Sequence, residues 1–392
     1  MITPTLILPH QGGGEFLREL DAPQLPPGQR PSGPAAAAGY FTGSMVIQFL
    51  KIGAVTSDMR KRLNRASFIL FLVPWILLTI GCSYIVKNEK QQVYSKTKYG
   101  QDRFAVVQDH NIHYVEIGEG EPVLLIPGAW STYRYWNRII PILSKNYQLL
   151  AMDYLGVGDS DKPRSGFGYT VEEQADLIAR MIETLQISKV HIVGTSYGGG
   201  IALNVAARYP DRVGKIVSIE GNGMKHKKVP YRPMKSLLKW PLFGEVPISV
   251  TRSGLLDKII AKWVMGKAWR SLSLNEMEEI VEIISKANKT ASRVSWYRIS
   301  RTLVTSKDFA EEAKTIRTPI LYLYGKNSDY RDMAEANAEF LRTNLPYVEV
   351  VCFKDGIHNL ELQKPEEVGN LILEFLNKNH PDHVLSNSTL SR

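Results

Sequence analysis

The chain has 392 residues, of which 44% are hydrophobic and 22% charged, a composition typical of a folded globular protein. Its two cysteines, Cys82 and Cys352, are too few for a disulfide framework. The net charge of +9 is concentrated between Met224 and Lys314, which contain 18 Lys and Arg residues against nine Asp and Glu. Because no basic stretch alternates with aromatic residues, the composition disfavours a nucleic-acid partner. The excess charge indicates a solvated helical surface, or contact with anionic lipid or an anionic substrate.

Residues 1–58 are predicted to be a leader that is either disordered or not translated. Residues 1–44 are rich in Pro, Gly and Ala, a composition that cannot bury a hydrophobic core. Met45 and Met59 are both possible initiators.

Residues 59–87 are predicted to be a lipoprotein-type signal or a transmembrane signal anchor. Basic residues precede the apolar run Phe68–Ile80, and Thr79–Cys82 is similar to a lipoprotein cleavage box, which makes Cys82 a candidate lipidation site. Alternatively, the 21 uncharged residues Ala66–Val86 are long enough to span a bilayer. Either interpretation predicts a membrane-anchored protein with the rest of the chain on the non-cytoplasmic side.

After a linker at 88–102, strand patterns alternate with helix patterns, which predicts an α/β fold with a mostly parallel, doubly wound sheet. The core is expected at 103–220 and 314–379, followed by a polar tail at 380–392. Its predicted strands are Phe104–Val107, Ile112–Ile117, Val123–Ile126, Tyr147–Met152, Val190–Val193, Val213–Ile219, Pro319–Leu323 and Val348–Val351. A capping box at Thr170 predicts one helix, and others are expected after Ser196 and near Pro365.

Residues 221–313 interrupt this alternation and contain no strand pattern. We predict that they form a helical cap inserted after the sixth strand, over the mouth of the active site. Four of the seven tryptophans belong to it. Most of them are expected in the core of the cap, and one or two in the wall of an apolar substrate pocket.

The segment Gly194-Thr195-Ser196-Tyr197-Gly198 joins a predicted strand to a predicted helix. A G-x-S-x-G sequence in this setting is typical of a nucleophile elbow, in which a sharp turn exposes the serine hydroxyl. Ser196 is therefore the candidate nucleophile.

His358 follows the last predicted strand, in Asp355-Gly356-Ile357-His358-Asn359, and is the candidate general base. Two carboxylates could orient it: Glu220 after the sixth strand and Asp329 after the seventh. Both keep the chain order nucleophile, acid, histidine, so this order leaves the choice open.

An oxyanion hole requires two backbone N–H groups directed at the developing negative charge. Tyr197, immediately after the candidate nucleophile, is predicted to supply one of them. Ala129, in the loop Pro127-Gly128-Ala129-Trp130 after the third strand, is predicted to supply the other.

Residues 103–379 resemble the α/β-hydrolase superfamily, and several stretches are similar to its capped, haloalkane dehalogenase-like branch. The resemblance lies in Trp136–Pro141, in Asp153–Pro163 and in the Gly356-x-His358 arrangement. Some members of this branch carry a glutamate after the sixth strand as the triad acid, which favours Glu220. Many other members of the superfamily carry an aspartate where this chain has Ser328, one residue before Asp329.

The chain departs from this branch at the nucleophile. In the dehalogenases and epoxide hydrolases that this chain resembles, the nucleophile is an aspartate followed by tryptophan. This chain has Ser196 followed by Tyr197. A serine activated by histidine suits acyl transfer, so we predict hydrolysis of a small apolar carboxylic ester without metal or organic cofactor. The alternatives are a carbon–carbon (diketone) hydrolase with the same triad and a receptor of low turnover. The sequence predicts no oligomeric state.

Overall fold

The computed structural model describes residues 99–221, 251–305 and 308–379. The predicted leader, the signal or anchor with Cys82, and the polar tail lie outside these residues, as does most of the predicted linker. Within the described ranges, no helix combines the length and apolar character needed to cross a bilayer.

The described residues form an eight-stranded sheet in the order β1-β2-β4-β3-β5-β6-β7-β8. The β1–β2 and β2–β4 pairs are antiparallel, and all other pairs are parallel. This topology confirms the predicted mostly parallel α/β sheet. The strands are β1 Gln101–Val107, β2 His110–Ile117, β3 Glu121–Ile126, β4 Tyr147–Met152, β5 Val190–Thr195, β6 Val213–Ile219, β7 Ile320–Gly325 and β8 Val348–Phe353.

Helices connect the strands and fill the long interval between β6 and β7. They are α1 Ile140–Leu143, α2 Val171–Thr184, α3 Tyr197–Arg208, α4 Asp257–Met265, α5 Leu274–Thr290, α6 Arg293–Thr305, α7 Ala310–Ala313, α8 Arg331–Asn344, α9 Leu360–Gln363 and α10 Pro365–Asn377. Short 3₁₀ helices occupy Tyr133–Trp136, Pro210–Arg212 and Gly266–Ser271.

The two faces of the sheet are covered by different helices. Every residue of β5 and β6 is buried, as expected for parallel strands packed on both faces. One core cluster includes Leu177 of α2 and Ile201 of α3, while the other includes Ile140 of α1 and Ile372 of α10. Adjacent residues of β5 enter opposite clusters because strand side chains alternate between faces. This layering presents the carboxyl ends of the central strands at one edge.

The described part of the predicted cap, from α4 to α7, is helical. Ala261 and Met265 of α4 pack with Ile280 and Ile283 of α5 in a small core of their own. Trp269 and Trp296 are buried, Trp263 is 62% exposed, and Trp240 lies outside the described residues. Trp263 therefore faces solvent and does not line a closed pocket.

Candidate active site

Ser196 lies at a sharp turn between β5 and α3. Its backbone has φ 51° and ψ −115°, a conformation that side chains rarely adopt. The turn is possible because of its glycines: a Cβ on Gly194 would lie 2.3 Å from the carbonyl oxygen of Gly198, and a Cβ on Gly198 would lie 2.3 Å from that of Ile126. The Ser196 N–H donates to Ile219 O over 2.8 Å, which ties the turn to the end of β6.

Glu220 follows β6 directly and hydrogen-bonds His358, with 2.6 Å between His358 Nδ1 and Glu220 Oε2. The Glu220 side chain is fully buried, and that of His358 is 20% exposed. Two further donors hold the carboxylate: Gly325 N–H reaches Oε1 over 2.8 Å, and Ser328 Oγ reaches Oε2 over 2.7 Å. Because a carboxylate only accepts, Nδ1 carries the proton of a neutral imidazole and Nε2 is its basic nitrogen.

Asp329, the other predicted acid, is exposed. Its negative charge contributes to raising the pKa of His358, but less than Glu220 does. Of the two candidates, Glu220 is the one whose carboxylate hydrogen-bonds the imidazole.

The electrostatic surroundings of His358 favour its protonated form. Burial lowers its pKa, but the charge and hydrogen bond of Glu220, followed by the charges of Glu361 and Asp329, outweigh burial and raise the pKa above the ordinary 6.5. The ring of Tyr330 packs against the imidazole with 4.4 Å between the ring centroids. The sequence pattern did not identify Tyr330, because its contact depends on how the loop after β7 folds back.

The loop Pro127–Trp130, predicted to contribute to the oxyanion hole, lies beside Ser196. A Cβ placed on Gly128 would be 3.5 Å from the Ser196 Cβ. Tyr154 OH donates to Gly128 O over 3.1 Å, and Trp130 Nε1 donates to Ser300 Oγ of α6 over 3.1 Å. The loop that carries Ala129 is therefore bonded to both the core and the cap.

Tyr197 is the first residue of the 12-residue helix α3. The first N–H groups of an α-helix have no acceptor within the helix and lie at the positive end of its dipole, where they can stabilise an anion. The Tyr197 side chain is buried, and its hydroxyl donates to Tyr169 O over 2.8 Å. The side chain thus anchors the start of α3, which leaves the backbone N–H as the group with oxyanion chemistry.

Glu361 is a buried carboxyl group next to this cluster that the sequence pattern did not identify. Glu361 lies in α9 and is fully buried. Burial raises the pKa of Glu361 to about 7, although the Thr195 hydroxyl and the charge of His358 act in the opposite direction. Its position between Leu360 and Leu362, two buried leucines, is the signal that could have identified it.

In the described ranges, one group of side chains has donor atoms close enough together for a metal ion: His113, Asp153 and Asp159, within 4.8 Å of one another. Hydrogen bonds already account for this cluster. His113 Nδ1 contacts Asp153 Oδ2 at 2.9 Å, and its Nε2 contacts Asp102 Oδ1 at 3.0 Å. The cluster joins β2 to the loop after β4, whereas Glu220 follows β6 and His358 follows β8. A structural role explains these contacts without a metal.

Comparisons with known proteins agree with this architecture. A sequence model described as the alpha/beta hydrolase fold matches residues 121–365. The chain is 24% identical over 282 residues to epoxide hydrolase 4 of Mus musculus, a match that covers 67% of this chain and 76% of that protein. It is 33% identical over 285 residues to 2-hydroxy-6-oxo-6-phenylhexa-2,4-dienoate hydrolase of Comamonas testosteroni, covering 69% and 92%.

Among solved structures, a bacterial membrane phospholipase A matches with a TM-score of 0.60 and 22% identity, covering 86% of this chain and 98% of that one. At this identity the likeness concerns the fold alone. The family match spans more than half of the chain, and the sheet has the strand order and the strained serine turn described above. The protein is therefore a member of the α/β-hydrolase family.

Proposed function

We propose that the protein is a serine hydrolase that cleaves carboxylic esters through an acyl-serine intermediate. The observation that carries the proposal is the 2.6 Å contact between His358 Nδ1 and the buried Glu220 carboxylate, one residue beyond the Ile219 carbonyl that binds Ser196 N–H. The serine follows β5, the carboxylate β6 and the histidine β8, and together they are the components of acyl transfer.

In this mechanism His358 Nε2 removes the proton from Ser196 Oγ while the oxygen attacks the ester carbonyl. Glu220 holds the Nδ1–H tautomer and stabilises the imidazolium that forms. The N–H groups of Tyr197 and Ala129 bind the tetrahedral oxyanion. The imidazolium then protonates the leaving alcohol, and His358 activates a water molecule that hydrolyses the acyl-serine. Each step uses side chains and backbone groups of this chain.

The identity of the nucleophile supports ester cleavage over epoxide opening. Epoxide hydrolases resemble this chain in fold but use an aspartate, whose carboxylate forms an alkyl ester with the substrate. Ser196 requires a base to become nucleophilic, and His358, whose Nδ1–H is bound by Glu220, can serve as that base.

Activity-based labelling tests the proposal. A fluorophosphonate probe should phosphonylate the intact protein once, at Ser196, and the Ser196→Ala variant should remain unlabelled. The same variant should lose hydrolysis of aryl esters of graded chain length without a change in its unfolding midpoint. Full ester hydrolysis by Ser196→Ala would refute the assignment of the nucleophile.

Carbon–carbon bond hydrolysis is a second candidate, favoured by the 33% identity to a 2-hydroxy-6-oxo-6-phenylhexa-2,4-dienoate hydrolase. Vinylogous diketones and aryl esters should be assayed side by side with the same preparation. We expect kcat/KM to be higher for the esters. The opposite order would assign the triad to diketone cleavage.

We further propose that residues 59–87 tether the chain to a membrane, with the catalytic region on the non-cytoplasmic side. The support is the basic segment before the apolar run, together with the uncharged length of Ala66–Val86. Metabolic labelling with palmitate separates the two kinds of tether. Label that is lost in Cys82→Ser indicates a lipoprotein, and alkaline-resistant membrane association without label indicates a transmembrane anchor.

A further inference from the structure

Helix α4 of the cap has two apolar faces, of which one is covered. Ala261 and Met265 are fully buried and pack against α5. Leu255, just before the helix, and Ile259 and Trp263 within it are 82%, 63% and 62% exposed. Because residues four apart lie on the same side of a helix, Ile259 and Trp263 share one side of α4, and Leu255 lies in the turn just before it; these three exposed residues are called the apolar stripe. The apolar stripe holds three of the six large hydrophobic side chains that are exposed in the described residues.

Basic side chains border the apolar stripe. From Arg252 to Arg270 the chain carries five Lys and Arg residues and a single acid, Asp257. That acid is buried and accepts a hydrogen bond from Asn288 Nδ2 over 2.6 Å, so it points away from the surface. Lys258 and Lys262, which directly precede Ile259 and Trp263, are exposed. The stripe is therefore adjacent to positive charges on its own helix, α4.

This charge decides between the possible occupants of the stripe. In a symmetric dimer the same basic surface would face itself, which is unfavourable. Residues 222–250 of this chain carry six Lys and Arg residues against one Glu, so they too would bring positive charge to a positive surface. An anionic lipid bilayer offers negative phosphates for the lysines and an apolar interior for the stripe.

We propose that the apolar stripe of α4 docks onto the surface of an anionic membrane. Leu255, Ile259 and Trp263 enter the boundary between headgroups and acyl chains, where tryptophan is a preferred residue. Lys258 and Lys262 extend their alkyl stems along the apolar surface and place their ammonium groups at the lipid phosphates. This inference concerns binding and does not depend on the proposed ester hydrolysis.

The docking helix also borders the candidate active site. Asn359, which follows His358, donates its Nδ2–H to Val264 O of α4 over 2.7 Å. Tyr135 OH in turn donates to Asn359 Oδ1. A membrane-docked α4 would therefore hold the histidine loop close to the lipid surface, from which an apolar substrate could enter.

Quenching of tryptophan fluorescence by brominated lipid tests the docking directly. Full-length protein is reconstituted into phosphatidylcholine vesicles with or without phosphatidylglycerol, with bromine on the acyl chains. The difference in fluorescence between the wild type and Trp263→Phe gives the signal of Trp263 alone, one of the seven tryptophans. This readout reports the environment of Trp263 alone, so a tether elsewhere in the chain does not produce it.

We expect bromolipid to quench Trp263 in phosphatidylglycerol vesicles, and both salt and omission of the anionic lipid to weaken the quenching. Ile259→Ser should lower the docked-to-undocked ratio by about tenfold, since it removes one buried aliphatic side chain. Lys258→Gln and Lys262→Gln should each lower it by about fivefold. Val106→Ser is the matched control: Val106 is 62% exposed, like Ile259, but lies on β1, and its substitution should change nothing.

Three results of the Trp263 measurement would overturn the proposal. The first is a Trp263 signal that bromolipid does not quench in either vesicle. The second is that Trp263 is shielded from aqueous quenchers in the absence of lipid and becomes accessible when the protein is diluted. This result would identify a second copy of the chain as the occupant of the stripe. The third is shielding without lipid that is independent of concentration, which would identify a segment of this chain. Equal losses in Val106→Ser and Ile259→Ser would likewise contradict a specific docking face.

Discussion

Ser328 donates a hydrogen bond to Glu220, with 2.7 Å between Ser328 Oγ and Glu220 Oε2. The same oxygen binds His358 Nδ1 at 2.6 Å. In many of the α/β-hydrolases that this chain resembles, an aspartate occupies the position of Ser328. A serine cannot supply the negative charge, but its hydroxyl orients and stabilises a carboxylate that arrives from the neighbouring strand. The geometry therefore favours an acid after β6 that is supported by a hydroxyl after β7.

Glu220→Gln and Asp329→Asn should have very different effects on turnover. The glutamine cannot fix the Nδ1–H tautomer of His358, and we expect kcat to fall by about three to four orders of magnitude. Asp329 is exposed and does not orient the ring, so Asp329→Asn should change kcat by less than about fivefold, in line with a surface charge of small effect. Steady-state kinetics on one aryl ester compares the two variants, with circular dichroism as the control for folding. A larger loss in Asp329→Asn would reassign the acid.

As the pH is lowered, the rate of ester cleavage should begin to fall at a pH above 6.5, the ordinary pKa of histidine. The base must be neutral to accept a proton, and Glu220 raises the pKa of His358 above 6.5 despite the opposing effect of burial. The acidic limb of kcat/KM should therefore lie above 6.5 in the wild type. Glu361→Gln removes one of the charges that raise this pKa and should move the limb to lower pH.

Asp355→Asn is the control for that profile. Asp355 and Glu361 are each three residues from His358, but Asp355 is exposed and pairs with Lys364 at 3.1 Å. Its substitution should leave the acidic limb in place. A limb that shifts equally in both variants would show that the effect is not specific to the buried carboxyl group.

The central strands could be predicted from the sequence because burial on both faces requires continuous apolar runs. The predicted Tyr147–Met152 and Val213–Ile219 have the bounds of β4 and β6. Helix α8, Arg331–Asn344, was not predicted. Its buried positions include the small residues Ala334 and Ala338, which give a weak apolar pattern, and Tyr330 at its start provides no side-chain cap.

The site could be predicted only as far as local motifs reach. The serine turn depends on nearby glycines and was identifiable as a motif. The choice between Glu220 and Asp329 depends on which carboxylate reaches His358 in space, and chain order is the same for both. The positions of Tyr330 and Glu361 depend on how two loops pack after β7 and β8. No local periodicity encodes such packing.

Glu361→Gln should make stability less dependent on pH. The pKa of Glu361 is raised from 4.5 to about 7 by burial, so the folded protein binds a proton that the unfolded chain has released between these values. The wild type should therefore lose stability as pH rises from 4.5 to 7, by about 3 kcal/mol in total. A glutamine has no proton to lose, so the variant should be more stable than the wild type at pH 8, and this advantage should vanish near pH 4.5.

Thermal unfolding midpoints across this pH range measure the difference, with Asp355→Asn as the exposed control. Parallel pH curves for the wild type and Glu361→Gln would mean that Glu361 is ionised at little cost in the folded protein, and would contradict the raised pKa.

Gly198 in the serine turn and Gly128 in the loop after β3 should differ in their tolerance of a methyl group. In Gly198→Ala the new Cβ would lie 2.3 Å from Ile126 O and 2.5 Å from Pro127 O, both backbone atoms that cannot move alone. We expect a loss of about 3 kcal/mol or more in stability, because the overlap must displace α3 or β3. In Gly128→Ala the nearest atom would be the Ser196 Cβ at 3.5 Å, an ordinary contact, so stability should change by less than about 1 kcal/mol. Unfolding midpoints of the two variants check the contrast. Equal midpoints would mean that the backbone around Ser196 is looser than these distances require, and that the strain at the nucleophile is not enforced by its neighbours.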